Sequence, residues 1–187
     1  MTIFLSGGCK NGKSTLAERC AHALAAGGPL YYLATMIPHD GEDLSRIRRH
    51  IAARDGLGFI TLEQGRNILS CLDRADRGGT FLLDSVTALL SNEMFTPGGI
   101  DPDAGLRTVS ELTQLAGRVK NIVFVSDFIY SDGRGYDAYT ELYRRGLALC
   151  DRTLGAVCDT VVEVALGQHM IYKGALPRQV QEESTWI

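Results

Sequence analysis

No stretch of about 18 consecutive apolar residues occurs in the chain, so no segment reads as a membrane-spanning helix. Its opening, Met1-Thr2-Ile3-Phe4-Leu5-Ser6-Gly7-Gly8, has neither a basic leader nor a small-residue cleavage site, which argues against a secretory signal. The five cysteines (Cys9, Cys20, Cys71, Cys150 and Cys158) contain no C-x-x-C pair, leaving no disulfide framework and no zinc site to assemble. A cytoplasmic location with reduced thiols is the expectation. Excess positive charge is missing too. The 19 Lys and Arg are outnumbered by 22 Asp and Glu, a net charge of −3, which argues against nucleic-acid binding by bulk charge. Repeats, low-complexity tracts and linkers are also lacking.

What remains is 187 residues, 45% hydrophobic and 22% charged, the composition of one folded domain over residues 1–187. Apolar runs at residues 2–6, 30–34, 59–62, 80–84 and 122–125 read as buried strands. Helical patterns fall between them, at 14–26, 40–55, 67–76, 85–95 and 104–120. Residues 96–103 read as a loop, a glycine-bearing loop spans 127–135, and a long helix runs to about 158. Alternation at 160–166 and 169–172, around Gly167-Gln168, predicts a hairpin. Strands alternating with helices imply an α/β fold with a mainly parallel sheet, helices on both faces and a C-terminal antiparallel hairpin.

Gly7-Gly8-Cys9-Lys10-Asn11-Gly12-Lys13-Ser14 satisfies G-x-x-x-x-G-K-[ST] between a predicted strand and a predicted helix. Such a loop curls backbone N–H groups round phosphates at a helix N-terminus. Lys13 reaches the β- and γ-phosphates, and the Ser14 hydroxyl binds Mg²⁺. The fold expectation narrows to a P-loop NTPase of RecA-like type. A strand-end acid must help hold the metal, and Asp84 fits best, with Asp127 the competitor. An Asp before a helix can instead be a simple cap. No [NT]-K-x-D segment is present to read guanine, and no Asp-Glu pair follows Leu83 as in helicase-type motors.

Residues 40–55 add a basic amphipathic helix, capped by Asp40. Leu44, Ile47 and Ile51 form its apolar stripe, and Arg46, His50 and Arg54 follow each other at intervals of four on one face. Such a stripe is usually a solvated face. A neutral imidazole flanked by two arginines is also placed to attack phosphorus while the guanidinium groups hold the oxygens. These residues leave a small-molecule kinase or a nucleotidyltransferase, with a regulatory GTP-binding protein without turnover as the reading from another class.

The chain resembles the bifunctional adenosylcobinamide kinase / adenosylcobinamide-phosphate guanylyltransferase family of cobalamin biosynthesis. The resemblance rests on the phosphate loop, Tyr32-Leu33-Ala34-Thr35, Arg46-Ile47-x-x-His50-x-x-x-Arg54, Thr61-x-Glu63, and Leu82-Leu83-Asp84-Ser85-Val86-Thr87 with Asn92 and Phe95 beyond. It implies His50 as the guanylylated nucleophile beside Lys13. It further implies a nucleotide site of Gly7, Gly8, Cys9, Lys10, Asn11, Gly12, Lys13, Ser14, Leu33, Ala34, Thr35, Arg46, Ile51, Ala52, Ala53, Arg54, Glu63 and Asp84. Mg²⁺ on Ser14 and Asp84, GTP and ATP as substrates, a corrinoid acceptor and a homotrimer follow from the same resemblance.

The second half departs from the family pattern. Where the family reads Asn-Glu-Val-Gly, this chain has Asp127-Phe128-Ile129-Tyr130. Its Phe-Arg-Asp becomes Tyr143-Arg144-Arg145, and a later asparagine becomes Asp151. This half is expected to serve the acceptor.

Overall fold

Apolar runs in this chain become strands covered on both faces. The computed structural model describes residues 1–38 and 40–183, without the side chains of Arg46, Ala53 and Glu183. The strands are β1 (Thr2–Gly7), β2 (Leu30–Ala34), β3 (Ile60–Glu63), β4 (Thr80–Asp84), β5 (Phe95–Thr96), β6 (Gly99–Ile100), β7 (Asn121–Asp127), β8 (Thr160–Ala165) and β9 (Gln168–Lys173). The helices are α1 (Lys13–Ala25), α2 (Gly41–Ala53), α3 (Val86–Met94), α4 (Ala104–Arg118), α5 (Ala138–Val157) and α6 (Arg178–Glu183). The main sheet runs β3-β2-β4-β7-β1-β8-β9. Its first six strands are mutually parallel, and β9 returns antiparallel to β8.

Alternation along each strand divides the core. Phe4, Tyr31, Leu33, Phe81, Leu83, Ile122 and Phe124 face one side, packed with buried residues of α3, α4 and α5 such as Leu89, Leu112 and Leu154. Ile3, Leu5, Leu30, Tyr32, Leu82, Val123 and Val125 face the other, under Leu16, Ala17 and Cys20 of α1 and Val180 of α6. The cysteines behave as small apolar residues. Cys20, Cys71, Cys150 and Cys158 are buried, and burial pushes their thiols up to about 12, 11, 12 and 12 respectively, so they stay protonated.

Three local expectations need correction. The helix expected at 67–76 is a 3₁₀ turn, Ile68–Asp73. Its start is fixed by distant acids, Glu93 accepting from the Asn67 N–H at 2.6 Å and Glu111 from the Ile68 N–H at 3.2 Å. The loop expected at 96–103 contains the short β5–β6 ladder. α6, about which the sequence carried no expectation, buries Val180, with Leu176 buried just before it. The largest correction concerns α2. Asp40 caps it as expected, accepting from the Asp43 N–H at 2.9 Å. Its apolar stripe, however, does not enter the core: Leu44 is 46% and Ile51 52% exposed. Among the described residues no helix is long and apolar enough to cross a membrane.

Candidate active site

Register alone gathers the site. In β1 and β7, Gly7 pairs with Asp127; in β2, Ala34 pairs with Asp84 of β4 and with Glu63 of β3. All five residues therefore sit at the carboxyl edge of the parallel sheet, where open α/β sheets bind ligands. The phosphate loop leaves β1 at this edge. Gly7 is required there, because a Cβ would lie 2.1 Å from the Val164 carbonyl oxygen of β8. Gly12 turns the chain into α1 with φ +87°, a left-handed conformation that a side chain would resist. Between them Cys9 and Lys10 are exposed, while Gly8 and Asn11 are partly covered.

Lys13 and Ser14, neighbours in sequence, each meet one of the two candidate acids. The Lys13 ammonium is 5% exposed. It donates to the Gly8 carbonyl at 2.6 Å and pairs with Asp127 at 2.8 Å. The Ser14 hydroxyl donates to Asp84 Oδ2 at 2.9 Å, and the Tyr32 hydroxyl donates to the same oxygen at 2.9 Å. Asp84 is not the cap of α3; the Ser85 side chain does that, accepting from the Ala88 N–H. The competition between the two acids thus resolves into a division of labour. Asp84 stands with the serine, Asp127 with the lysine.

Around Asp84 lies a buried polar group of Arg54, Tyr32 and Glu18, of which the sequence motifs mark the first two but not Glu18. The Arg54 guanidinium sits 3.5 Å above the Tyr32 ring, 6% exposed, and its Nη1 lacks a hydrogen-bond partner among the described residues. Arg54 therefore leaves the solvated face expected for the Arg46–His50–Arg54 stripe and turns inward at the end of α2. Burial raises the Glu18 carboxyl; the Arg54 charge opposes this and the Asp84 charge adds to it. Burial, then Asp84, pushes the Tyr32 phenol far up, so it remains a donor. Glu18 lies one helical turn after Ser14, a spacing that could have revealed it.

The other expected residues are distributed more widely. Ile51 and Arg54 line a cleft of about 390 Å³ with Phe59 and Thr61. Phe59 meets Tyr32 edge-on at 5.9 Å, which joins this cleft to the Asp84 group. Ala52 is exposed, as is Glu63 at the end of β3. Leu33 and Thr35 are fully buried. The Thr35 hydroxyl donates to the Ser85 carbonyl at 2.8 Å and accepts from the Ser85 N–H at 2.7 Å. Asn92 ties this corner together, donating to the Thr35 and Gly65 carbonyls at 2.7 and 3.0 Å. Leu33 and Thr35 thus shape the strand end and offer a ligand no side-chain atoms. His50 is half-buried on α2, one turn before Arg54. The side chains of Arg46 and Ala53 lie outside the described residues.

Comparison with known proteins gives relatives of the chain. The family described as cobinamide kinase / cobinamide phosphate guanyltransferase matches residues 3–171. The bifunctional adenosylcobalamin biosynthesis protein CobP of Pseudomonas aeruginosa is 31% identical over 179 residues, 93% of this chain and 98% of that protein. Among solved structures, a Pyrococcus horikoshii OT3 protein aligns with a TM-score of 0.49 at 12% identity, covering 92% of this chain and 86% of that one. The flagellar accessory protein FlaH of Methanocaldococcus jannaschii aligns with a TM-score of 0.45 at 13% identity, covering 92% and 78%. On the extent of the family match and of the CobP identity, the chain belongs to the cobinamide kinase / cobinamide phosphate guanyltransferase family.

Proposed function

We propose that a single nucleotide site in this chain serves both reactions of the family. In one, the γ-phosphoryl of ATP or GTP passes to the aminopropanol hydroxyl of adenosylcobinamide. In the other, His50 takes GMP from GTP as a phosphoramidate and passes it to adenosylcobinamide phosphate. The observation that supports this reading is the convergence of Lys13, Ser14 and Asp84 at one sheet edge, with Arg54, one turn beyond His50 at the end of α2, seated over the Tyr32 ring that donates to Asp84.

Each residue then has a task. Backbone N–H groups of Gly8, Cys9, Lys10, Asn11 and Gly12 cradle the phosphates, and Lys13 neutralises charge on the oxygens as phosphoryl transfer loosens. The Ser14 hydroxyl and Asp84 carboxylate are hard oxygen donors 2.9 Å apart, which suits Mg²⁺ held by one or two protein groups and phosphates. Bound there, Mg²⁺ would supply positive charge to the phosphate oxygens. Among the described residues no larger cage of three or more ligating side chains competes with it. Arg54, with a buried N–H to spare, steadies the phosphate chain. Ile51, Ala52, Ala53 and Glu63 border the base and ribose, while Leu33, Ala34 and Thr35 shape the floor.

A cytoplasmic homotrimer completes the reading. Exposed apolar residues on the β8–β9 hairpin, Leu166 at 93% and Met170 at 60%, support association. Incubating the purified chain with cobinamide and ATP or GTP, and separately with cobinamide phosphate and GTP, tests the function. The expected products are cobinamide phosphate and GDP-cobinamide. Turnover of neither acceptor would contradict the assignment.

A further inference from the structure

Beside the phosphate-loop lysine the molecule holds a second cleft, of about 470 Å³, walled by Phe128, Ile129, Tyr136, Tyr143 and Arg144, with Asp132 at its side. It begins one residue after Asp127, the partner of Lys13, and the Phe128 N–H is bonded to the Gly7 carbonyl at 2.9 Å, against the phosphate loop itself. Thr87 links the two: its hydroxyl accepts from the Asp127 N–H at 2.8 Å, and its carbonyl accepts from the Tyr143 hydroxyl at 2.9 Å. The Asp127 charge is felt at Tyr143, where it adds to burial in raising the phenol.

The walls specify a ligand class. Phe128 and Tyr136 are 45% and 41% exposed, offering aromatic faces to an apolar body. Arg144 brings the cleft its positive charge, but that charge is already matched. Its guanidinium pairs with Glu141 at 2.5 Å and Asp132 at 3.2 Å, donates to the Tyr130 carbonyl at 2.8 Å and lies over the Tyr136 ring at 4.8 Å. Only its buried Nε lacks a partner among the described residues. The cleft therefore offers aromatic surface, one spare N–H donor and an Arg144 charge already matched by Asp132 and Glu141. That suits an uncharged arm carrying amide and hydroxyl groups, and it opposes a phosphate.

Building on the function proposed above, we propose that this cleft seats the neutral hydroxyl-bearing amide arm of the acceptor, and that Asp127 is the base which takes the hydroxyl proton. While the loop is empty, Lys13 holds Asp127 in an ion pair. An incoming nucleotide draws Lys13 to its phosphates and leaves the carboxylate uncompensated beside the cleft. The acceptor oxygen then bonds to the γ-phosphorus as the bond from that phosphorus to the β–γ bridging oxygen breaks. The nucleoside diphosphate departs with the electron pair, and the proton passes to Asp127 and then to water. Nucleotide binding thus switches the base on, and the same negative charge disfavours an acceptor already phosphorylated.

The test uses Asp127→Asn and, separately, Phe128→Ala and Tyr136→Ala. Asp127→Asn should lower kcat for cobinamide phosphorylation by about 10²–10³. Nucleotide affinity should not fall, because Asp127 competes with the phosphates for Lys13, and α-phosphate labelling of the protein by GTP should survive, because it does not need the base. The two aromatic variants should raise the KM for cobinamide about tenfold with kcat retained, and wild type should bind cobinamide at least tenfold more tightly than cobinamide phosphate. A wild-type kcat in Asp127→Asn would overturn the proposal while leaving the family function intact. So would loss of nucleotide affinity and α-labelling together with the kinase step, since that would mean Asp127 only positions Lys13. A wild-type protein inert towards cobinamide and cobinamide phosphate alike would instead overturn the functional assignment and this proposal with it.

Discussion

The phosphate-loop edge of the sheet and helix α2 are built in opposite ways. At the loop, each reactive side chain already has partners: Lys13 has Asp127 and the Gly8 carbonyl, Ser14 has Asp84, and Asp84 has Tyr32 as well. Lys13 and Ser14 open α1, and Asp84 and Asp127 end strands in which the preceding residues, Leu83 and Ser126, are fully buried. On α2, no residue whose side chain is described is buried, and the apolar stripe meets solvent. Its inward anchor is Arg54 over Tyr32, at the last turn. The candidate phosphate-transfer residues therefore hold one another in place without a ligand. The histidine rides on an element with little packing energy to hold it, the kind of segment that shifts at small free-energy cost.

Lys13→Ala gives the sharpest contrast. It should cut phosphoryl transfer by about 10³ or more, since the charge matters most as the γ-phosphoryl loosens, and circular dichroism should show the fold intact. Near-normal turnover would break the loop's side of the comparison. His50→Ala should act on the other side alone, eliminating GMP transfer to cobinamide phosphate while preserving much of the kinase rate.

Stability should separate the two regions as clearly. Leu83, fully buried in β4, should cost about 2–5 kcal/mol when truncated to Ala, whereas Leu44→Ser on α2 should change stability by no more than about 0.5 kcal/mol. Urea titrations of both variants measure this. A loss from Leu44→Ser as large as from Leu83→Ala would mean that α2 packs into the fold in solution.

A smaller effect tests the acceptor side. Asp151 is buried behind β7, accepts from the Tyr130 hydroxyl at 3.0 Å, and is pushed up to about 6 by burial. Tyr130 and Ser126 favour its ionised form and the Asp127 charge opposes it, but neither Ser126 Oγ nor Asp151 Oδ1 completes a hydrogen bond. The folded chain thus keeps this proton at pH values where an unfolded carboxyl has lost it. Stability contributed here is present below about pH 4 and falls as pH rises to about 6, by a total on the order of 3 kcal/mol. Asp151→Asn should flatten that segment of the stability profile and raise Tm at pH 7.5. An unchanged slope between pH 4 and 6 would show that the carboxyl is not held protonated.

The sequence was most legible where one residue type has one physical use. The sheet's strands follow from apolar runs, and β2 and β4 take the bounds expected, because a strand buried on both faces tolerates little else. Lys13, Ser14 and Asp84 follow from the phosphate-loop chemistry. Less legible was whatever depends on burial between distant segments. Nothing in residues 40–55 says that Arg54 will turn inward over Tyr32, or that Leu44 and Ile51 will stay outside. The expected acceptor half was visible only as a departure from family residues. That its Asp127 would pair with Lys13 follows from the β1–β7 register, which a linear pattern does not carry.

The central claim is that His50 carries the GMP. GTP labelled at the α-phosphate should leave label on the wild-type chain that is labile to acid and stable to base, while label at the γ-phosphate should leave none of that kind. The same experiment on His50→Ala should give no α-label, with cobinamide phosphorylation still measurable. Acid-labile α-label that persists in His50→Ala would place the nucleophile elsewhere and contradict the account.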